Sequence, residues 1–505
     1  MLMQAQPVAG NGKLEPLHSY PARMAPTATT ASALRDHLAS PRGLGALPRA
    51  PHTGAAGGAA CGDLIRVSVQ VDGDRVVAAG FQAQGCAAAR AAGSAVVELV
   101  EGHGVLVAAA LTPAAVADEL GGLSPVAAHA AELAADALHR ALGMAARDGA
   151  IALPATATRT LVAMSGGVDS AAAAQLALDA GEDVMAVTLE LWSDPGTDGE
   201  KSCCSPQAVT GARALAHRMG MPHFTLDLRE RFRADVVDDF LAGYAGGTTP
   251  NPCVRCNGIV RFDGMLELAG RLGASRLATG HYARIGADDH GPLVRAGSDP
   301  AKDQSYVLAR LTGDELERLR FPLGDMEKPR VRELAEAAGL SVARKPESQD
   351  LCFLAGTGAP DFMRRHGAPL GRGGPIVDRA GTVLGRHDGH HRFTVGQRRG
   401  LGVAAAEPLY VLAKDPSANR VVVGTRAELA VRSVSVASLV LHRPAARATS
   451  VRLRYHAPPV PCTVAGGTRI DLQREVARPA PGQTACLMDG DLVVGWGTMR
   501  AGADV

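Results

Sequence analysis

An apolar run, a glycine-rich turn and an alanine-rich segment follow one another directly at residues 160–174, which read TLVAMSGGVDSAAAA. The apolar run predicts a buried strand, and the alanines predict a helix that begins as soon as the turn ends. Unpaired N–H groups at a helix N-terminus favour an anion, and glycines let the backbone come close to it. This order of segments therefore predicts a phosphate site.

The polar residues of the turn sharpen that prediction. Ser165 and Ser170 add hydroxyl donors, and Asp169 adds a carboxylate, which beside a phosphate makes most sense with a Mg²⁺ ion between them. The turn lacks the GxxxxGK[ST] pattern of a Walker A loop. A strand–helix turn without a ligand is the alternative, but the full SGGVDS after an apolar strand favours nucleotide binding.

Length and composition set outer limits on the remaining functions. The 505 residues predict several domains, and a net charge of only +1 means that a nucleic-acid partner would need local basic stripes. Nine cysteines are too sparse for a secreted disulfide framework and suggest thiol or metal chemistry in a reducing, cytoplasmic setting. No apolar run reaches the length of a membrane span, so no membrane partner is expected.

Composition and periodicity divide the chain into units. A doubly wound parallel α/β sheet is predicted where apolar strand candidates such as DVMAVTLELW alternate with helical stretches, and short alternating segments rich in Gly and Pro predict all-β modules after it. The predicted units are a disordered leader at 1–32, an α+β unit at 33–148, a linker at 149–157, the α/β domain at 158–366, a small central β domain at 367–432 and a barrel-like β domain at 433–505.

Three cysteines stand in contexts that suggest chemistry. Cys253 and Cys256 form a CxxC pair in TPNPCVRCN, whose prolines keep the chain out of a helix until the cysteines, and Cys352 lies in SQDLCFL. Buried core thiols and a zinc half-site are the alternatives. A thiolate activated near a helix N-terminus or a cation would be a nucleophile.

These motifs carry a family resemblance. The turn resembles the PP-loop of the ATP pyrophosphatase superfamily, whose members activate an oxygen by adenylation and release pyrophosphate. MSGGVDS, TPNPCVRCN, ATGHYAR, KDQSYVL, FPLGDMEKPRVRELAEAAGL, SQDLCFL and TVGQRRGLG follow in an order similar to that of the tRNA-specific 2-thiouridylases, over residues 158–500. The resemblance implies an enzyme that uses ATP to place sulfur at C2 of the wobble uridine of tRNA.

The resemblance also implies roles for the cysteines. Cys256 would be the nucleophile that carries persulfide sulfur, delivered by a cysteine desulfurase or a sulfur-relay protein. Cys352 would be its redox partner, and the disulfide left after transfer would need a reductant. An alternative within the family is an iron–sulfur cluster held by Cys253, Cys256 and Cys352, with Cys253 standing where other members have Asp.

Further positions follow from the matched motifs. The residues expected to contact ATP are Ala163, Met164, Ser165, Gly166, Gly167, Val168, Asp169, Ser170, Leu189 and Gly280. Those expected to contact the target base or tRNA are Asn251, Pro252, Cys253, His281, Lys302, Asp303, Gln304, Arg454, Tyr455 and Gln483. For Leu189 a plain core role, for His281 a structural role and for Lys302 a surface charge are the alternatives.

The N-terminal unit carries a second resemblance. LRDHLASPRGLGAL, ACGD and FQAQGCAAARAAGSA are similar to iron–sulfur scaffold proteins of the IscU/SufU type, which hold zinc or a cluster with three cysteines and an aspartate. Cys61, Asp63 and Cys86 match, whereas Ala130 replaces the third cysteine and leaves the neighbouring His129 as a candidate ligand. A metal-bearing sulfur relay and a degenerate fold that docks a cysteine desulfurase are the two interpretations.

Overall fold

The structure is a computed structural model that describes residues 30–48, 50, 52–57, 62–194, 205–346, 351–354, 357–367 and 372–501. The predicted leader up to residue 29, Cys61, and two further cysteines, Cys203 and Cys204, lie outside these ranges. Within them, no helix has both the length and the apolarity needed to cross a bilayer.

The N-terminal unit is α+β, as predicted. Its antiparallel sheet has the order β1-β2-β3, and a turn at residues 72–74 (Asp-Gly-Asp) joins the second and third strands. The strands are β1 (His52–Gly57), β2 (Leu64–Asp72) and β3 (Arg75–Gln84). The helices are α1 (Thr30–Ala39), α2 (Ala87–Val100), α3 (Val105–Ala109), α4 (Pro113–Glu119) and α5 (Ala128–Arg147). Helices α2 and α5 pack on the sheet, and their alanines allow close approach.

The second unit is a doubly wound parallel sheet, which confirms the sequence prediction. Its strand order is β10-β7-β4-β5-β6, with every pair parallel. Leu161 of β4 faces α11, and its neighbour Val162 faces α6 and α7, so helices cover both faces. The elements are β4 (Thr156–Ala163), α6 (Val168–Asp179), β5 (Asp183–Glu190), α7 (Pro206–Arg218), β6 (His223–Asp227), α8 (Arg229–Phe232), α9 (Asp238–Ala245), α10 (Pro252–Cys256), α11 (Phe262–Arg271), β7 (Ala274–Ala278), β8 (Ala283–Asp288), β9 (Gly291–Ala296), α12 (Gly313–Arg318), β10 (Leu319–Arg320), α13 (Lys328–Ala337) and α14 (Ala359–Arg365).

The CxxC pair lies on a continuous helical rod made of α10, a π turn and α11. Helix α10 passes into a π turn at Asn257–Arg261 and then into α11, with helical dihedrals at both junctions. A π turn inside a helix is uncommon overall, but those that occur lie frequently at functional sites. Cys256 is the last residue before this turn.

The C-terminal part is all-β, as predicted. A four-stranded sheet has the order β12-β11-β14-β13, and six later strands close into a barrel because β15 pairs with both β18 and β20. The hairpin β8–β9 of the α/β domain joins this barrel through β20. The strands are β11 (Gly374–Val377), β12 (Val383–His387), β13 (Tyr410–Asp415), β14 (Arg420–Gly424), β15 (Ala430–Leu441), β16 (Ser450–Arg452), β17 (Val460–Ala465), β18 (Arg469–Ala477), β19 (Thr484–Asp489) and β20 (Leu492–Met499).

Candidate active site

The glycine-rich turn joins β4 to α6 at the carboxyl end of the parallel sheet. Gly166 has φ +71°, a conformation that glycine adopts without strain. The N–H of Ser165 donates to Ser170 Oγ at 3.1 Å, and that hydroxyl donates to the carbonyl of Gly167 at 3.0 Å. Ser170 therefore fixes the shape of the turn from the first turn of the helix.

A cavity of about 220 Å³ opens beside this turn. It brings together many residues predicted to bind ATP or tRNA: Ala163, Met164, Ser165, Asp169, Ser170, Leu189, Gly280, His281 and Gln304. The sequence did not point to its other lining residues: Val187, Thr188, Leu191, Arg261, Met265 and Thr279. Gly280 also packs on α6, since a Cβ there would meet the Asp169 backbone at 2.7 Å.

Asp169 is bound by two side chains that the sequence analysis did not single out. Lys328 Nζ lies 2.7 Å from Asp169 Oδ1 and 2.9 Å from Oδ2, and the hydroxyl of Tyr282 donates to Oδ1 at 2.7 Å. The lysine is only 7% exposed. Because Lys328 already supplies a cation to both oxygens, this arrangement does not fit Asp169 as a protein ligand of Mg²⁺.

Two more cations adjoin the nucleotide turn. Lys345 Nζ donates to the carbonyl of Gly166 at 3.0 Å, and Arg261 lines the cavity from the π turn. Burial and the Arg261 charge lower the pKa of His281 to about 3, so its imidazole is neutral at physiological pH. The site is therefore positively charged through lysine and arginine, with His281 as a neutral lining group.

The CxxC pair starts a helix. The Asn251 side chain accepts the Val254 N–H at 3.3 Å as the helix cap, and Pro252 occupies the first turn. Cys253 is exposed near that N-terminus, whereas Cys256 is 6% exposed. A thiolate near a helix N-terminus is stabilised by the helix dipole.

Cys352 lies beside an aromatic anchor. It is partly buried, and the next residue, Phe353, is fully buried against the rings of Phe232, Phe240 and Phe362. This anchor fixes the position of the cysteine on the α/β domain.

Of the predicted tRNA residues in the barrel, Gln483 contacts the segment just before the CxxC helix. Gln483 Nε2 donates to the carbonyl of Thr249 at 2.8 Å, two residues before Asn251. The Tyr455 ring lies 6.0 Å from that of Tyr306. Partial burial raises the pKa of Tyr455 to about 12. Tyr455 is 39% exposed, so part of its ring is open to a partner. Arg454 precedes Tyr455 in the segment after β16, and it donates to the carbonyl of Arg478 at 3.5 Å.

In the KDQ motif at residues 302–304, the Asp303 side chain is buried and the Lys302 side chain is partly exposed. Asp303 is 6% exposed and accepts hydrogen bonds from the Gly297 N–H at 2.9 Å and the Ser305 hydroxyl at 2.9 Å, and it pairs with Arg452. Lys302 remains partly exposed. The carboxylate of Asp303 therefore joins this loop to the barrel.

A second cluster lies in the N-terminal unit. Asp63 Oδ2 accepts from His129 Nε2 at 2.9 Å and from Cys86 Sγ at 3.1 Å, and ligand atoms of the three lie within 4.8 Å of one another. The hydrogen bond and charge of Asp63 raise the pKa of His129, while contacts with Cys86 and His129 lower the pKa of Asp63. Carboxylate, thiol and imidazole are the ligand types that zinc uses, so this donor set fits a metal ion.

Fold and site together define an ATP-using α/β enzyme of the PP-loop type, with an iron–sulfur-scaffold domain before it and β modules after it. Four family models match along the chain: a NifU-like N-terminal domain at 30–148, a tRNA methyl transferase HUP domain at 158–356, a tRNA methyl transferase PRC-barrel domain at 360–425 and an aminomethyltransferase beta-barrel domain at 429–499.

One curated relative matches nearly the whole chain, and others match about two thirds of it. The "Bifunctional protein NifU/MnmA" of Rubrobacter xylanophilus is 46% identical over 491 residues, which cover 92% of this chain and 96% of that protein. The "tRNA-specific 2-thiouridylase MnmA" of Geobacter metallireducens is 44% identical and covers 68% of this chain and 97% of its own length. Among solved structures, a 4-thiouridine synthetase–RNA complex with bound ATP covers 43% of this chain and 53% of that chain at 18% identity, with a TM-score of 0.27.

The chain therefore belongs to the bifunctional NifU/MnmA family, in which a NifU-like domain is fused to a tRNA 2-thiouridylase of the MnmA type. Both predicted resemblances are confirmed, as is the prediction of an ATP-dependent tRNA sulfurtransferase. The roles of individual residues remain predictions.

Proposed function

We propose that this chain adenylates the C2 oxygen of a wobble uridine and replaces that oxygen with sulfur carried by Cys256. One observation supports this assignment above the others. The helical rod that carries Cys256 continues through Arg261 and Met265 into the wall of the nucleotide cavity. Arg261 lies five residues after Cys256, roughly 8 Å along the rod at 1.5 Å per residue.

The first step is attack of the uridine O2 on the α-phosphorus of ATP, which breaks the α–β bridging bond and releases pyrophosphate. The amide-like carbonyl oxygen becomes part of a phosphate ester that can leave as AMP. The first turn of α6 would face the phosphates, with Arg261 in the cavity wall, Lys345 on the Gly166 carbonyl and Lys328 paired with Asp169 nearby. These groups stabilise the charge that develops on the leaving pyrophosphate.

The second step transfers sulfur. The terminal sulfur of a Cys256 persulfide attacks C2 and the C2–O bond breaks, so that AMP leaves with the oxygen. The Cys352 thiolate then attacks Cys256 Sγ, breaks the S–S bond and releases the 2-thiouridine. A Cys256–Cys352 disulfide remains, and a thiol reductant restores both cysteines.

tRNA recognition is assigned to the face where the barrel meets the CxxC helix. Tyr455 offers an exposed ring for stacking, Arg454 and Lys302 offer charge for phosphates, and Gln483 holds the loop before Asn251. Asp303 supports this face from within through Arg452. The contribution of Cys253 would be contact with the target base.

The NifU-like domain is assigned a metal site on Asp63, Cys86 and His129, with Cys61 as a further candidate outside the described residues. His129 Nε2 contacts Asp63, so a metal ion would take the place of the proton they share. Zinc or an iron–sulfur cluster would supply a Lewis-acidic or sulfide-bearing centre there. A cysteine desulfurase is the proposed sulfur source, and the cytoplasm the proposed location.

Mass spectrometry of tRNA tests the proposal. The full chain is incubated with ATP, a desulfurase, cysteine and unmodified tRNA, and the wobble nucleoside is analysed. We expect 2-thiouridine with the wild type and none with Cys256→Ser. With Cys352→Ser we expect tRNA that stays joined to Cys256 through an S–S bond, because the thiolate that releases it is missing. Cys462→Ser, a buried thiol of the barrel, is the matched control and retains activity.

Two results would overturn this mechanism. Thiolation that survives Cys256→Ser would remove the proposed nucleophile. Thiolation that requires anaerobically bound iron, with no persulfide detectable on Cys256, would favour a cluster on Cys253, Cys256 and Cys352 instead.

A further inference from the structure

Helix α5 of the NifU-like domain is buried on two sides. On one side it packs against β1 and β2 of its own domain, and on the other it packs against β6 of the nucleotide-binding sheet. A Cβ on Gly54 would lie 2.0 Å from the Ala137 carbonyl oxygen, and a Cβ on Gly143 would lie 2.1 Å from that of Thr225. The helix therefore approaches the backbone of both domains closely.

The connection between the domains is packed as well. Ile151 is fully buried, the Ala152 N–H donates to the Gly73 carbonyl at 3.1 Å, and the Leu153 N–H donates to the Arg271 carbonyl at 2.8 Å. The Arg271 guanidinium in turn donates to the Ala146 carbonyl of α5 at 2.8 Å. The predicted linker is thus held by both domains.

Ion pairs cross this interface. Asp136 of α5 lies 2.6 Å from the Arg213 guanidinium, and Arg140 lies 3.2 Å from Glu190 at the end of β5. The side chains of Arg213 and Glu190 are 7% and 6% exposed. Removing one partner of a buried pair leaves an uncompensated charge, so these contacts oppose separation of the domains.

A hydrogen-bonded route runs from the interface to the nucleotide turn. The Thr188 hydroxyl donates to the Met164 carbonyl at 2.8 Å, so it must accept from His223 Nε2, also at 2.8 Å. The His223 ring lies 6.5 Å from that of His139 on α5. Met164 lines the cavity, so the route ends at the proposed ATP site.

We propose that the NifU-like domain is a fixed part of the ATP site: helix α5, docked on β6, positions Met164 through His223 and Thr188. The inference rests on the proposed function only in naming ATP as the nucleotide. Its readout is ATP binding, which needs neither tRNA nor sulfur, so a failure of thiolation alone would leave it standing.

Calorimetry on the full chain tests the docking. Gly143→Leu drives a side chain into the Thr225 backbone, whereas Gly211→Leu, in α7 where a Cβ meets open space, is the matched control. We expect one unfolding transition for the wild type and the control, and two for Gly143→Leu. We expect ATP to bind about tenfold more weakly to Gly143→Leu and unchanged to the control. If Gly143→Leu does not fold, Asp136→Asn, which neutralises the partner of Arg213, takes its place.

A double-mutant cycle tests the positioning. Thr188→Val should weaken ATP binding by about tenfold and Thr188→Ser should restore it, since serine keeps the hydroxyl. Combining Thr188→Val with the interface variant should add little, because both break the same route. Separated transitions with unchanged ATP affinity, or losses that simply multiply in the double variant, would overturn the proposal. So would a Gly143→Leu protein that keeps one transition and full affinity.

Discussion

The buried Lys328 forms an ion pair at 2.7 Å with the partly exposed Asp169, 159 residues away in the chain, and Tyr282 donates a hydroxyl to the same carboxylate. The pair joins the first turn of α13 to the first turn of α6, directly beside the nucleotide cavity. A lysine held in this way presents a fixed positive charge without the entropy loss of ordering a free side chain at the moment of reaction.

Replacing this lysine should therefore slow adenylation. We expect Lys328→Met to lower the single-turnover rate of tRNA thiolation about 100-fold, because one preorganised cation is lost from the phosphate region. Quenched-flow sampling with mass spectrometry of the wobble nucleoside measures the rate. Arg344→Met is the control, because Arg344 is an exposed cation that pairs with Glu336 of α13. Equal rates for Lys328→Met and the wild type would contradict the assignment.

Substitutions of Asp303 and of its neighbour Lys302 should have different effects, the first on stability and the second on tRNA binding. Asp303→Asn removes the charge that pairs with Arg452 in a buried loop, so we expect the free energy of unfolding to fall by about 3 kcal/mol. Lys302→Ala should leave stability unchanged and weaken tRNA binding. Urea unfolding and tRNA titration distinguish the two, and a stable Asp303→Asn protein with weakened tRNA binding would instead support direct contact.

The exposed ring of Tyr455 should stack on an RNA base. Tyr455→Ala is expected to weaken binding of an anticodon stem-loop about tenfold, within the roughly 1–3 kcal/mol per base seen for aromatic stacking, whereas Tyr455→Phe keeps the ring and the affinity. Fluorescence anisotropy measures the dissociation constant. Val440→Ala, an exposed apolar residue elsewhere on the barrel, serves as control. If Tyr455→Phe binds the stem-loop as weakly as Tyr455→Ala, the hydroxyl and not the ring makes the contact.

Lys414 should make the free energy of unfolding depend on pH in the alkaline range. Burial lowers its pKa to about 8, below the ordinary value of 10.5, and its ammonium lies 5.7 Å from the Tyr244 ring. The folded chain therefore loses this proton before the unfolded chain does, so stability should rise between about pH 8 and 10.5. Lys414→Met should lack that rise. Chemical unfolding at several pH values measures it, and identical pH profiles for both proteins would refute the assignment.

Elements set by neighbouring residues were predictable from the sequence. Contacts between residues far apart in the chain were not. The strand–turn–helix around SGGVDS follows from local periodicity, and the parallel sheet follows from the alternation of strand and helix candidates. Lys328 was visible only as part of a motif, because nothing local shows that its ammonium meets Asp169. The segment GAIALPATA suggested a linker by composition, but Ile151 is buried because two domains meet there. Nothing in the sequence of α5 shows that β6 of the second domain packs against it.

Strand β6 ends the nucleotide-binding sheet, and yet most of its residues are buried. A strand at the end of a sheet offers unpaired N–H and C=O groups to any other strand, which makes it a site of aggregation unless something covers it. Helix α5 of the preceding domain lies against this strand. A thiouridylase part made without residues 30–148 would lose this cover, and the backbone of β6 would be open to solvent on that side.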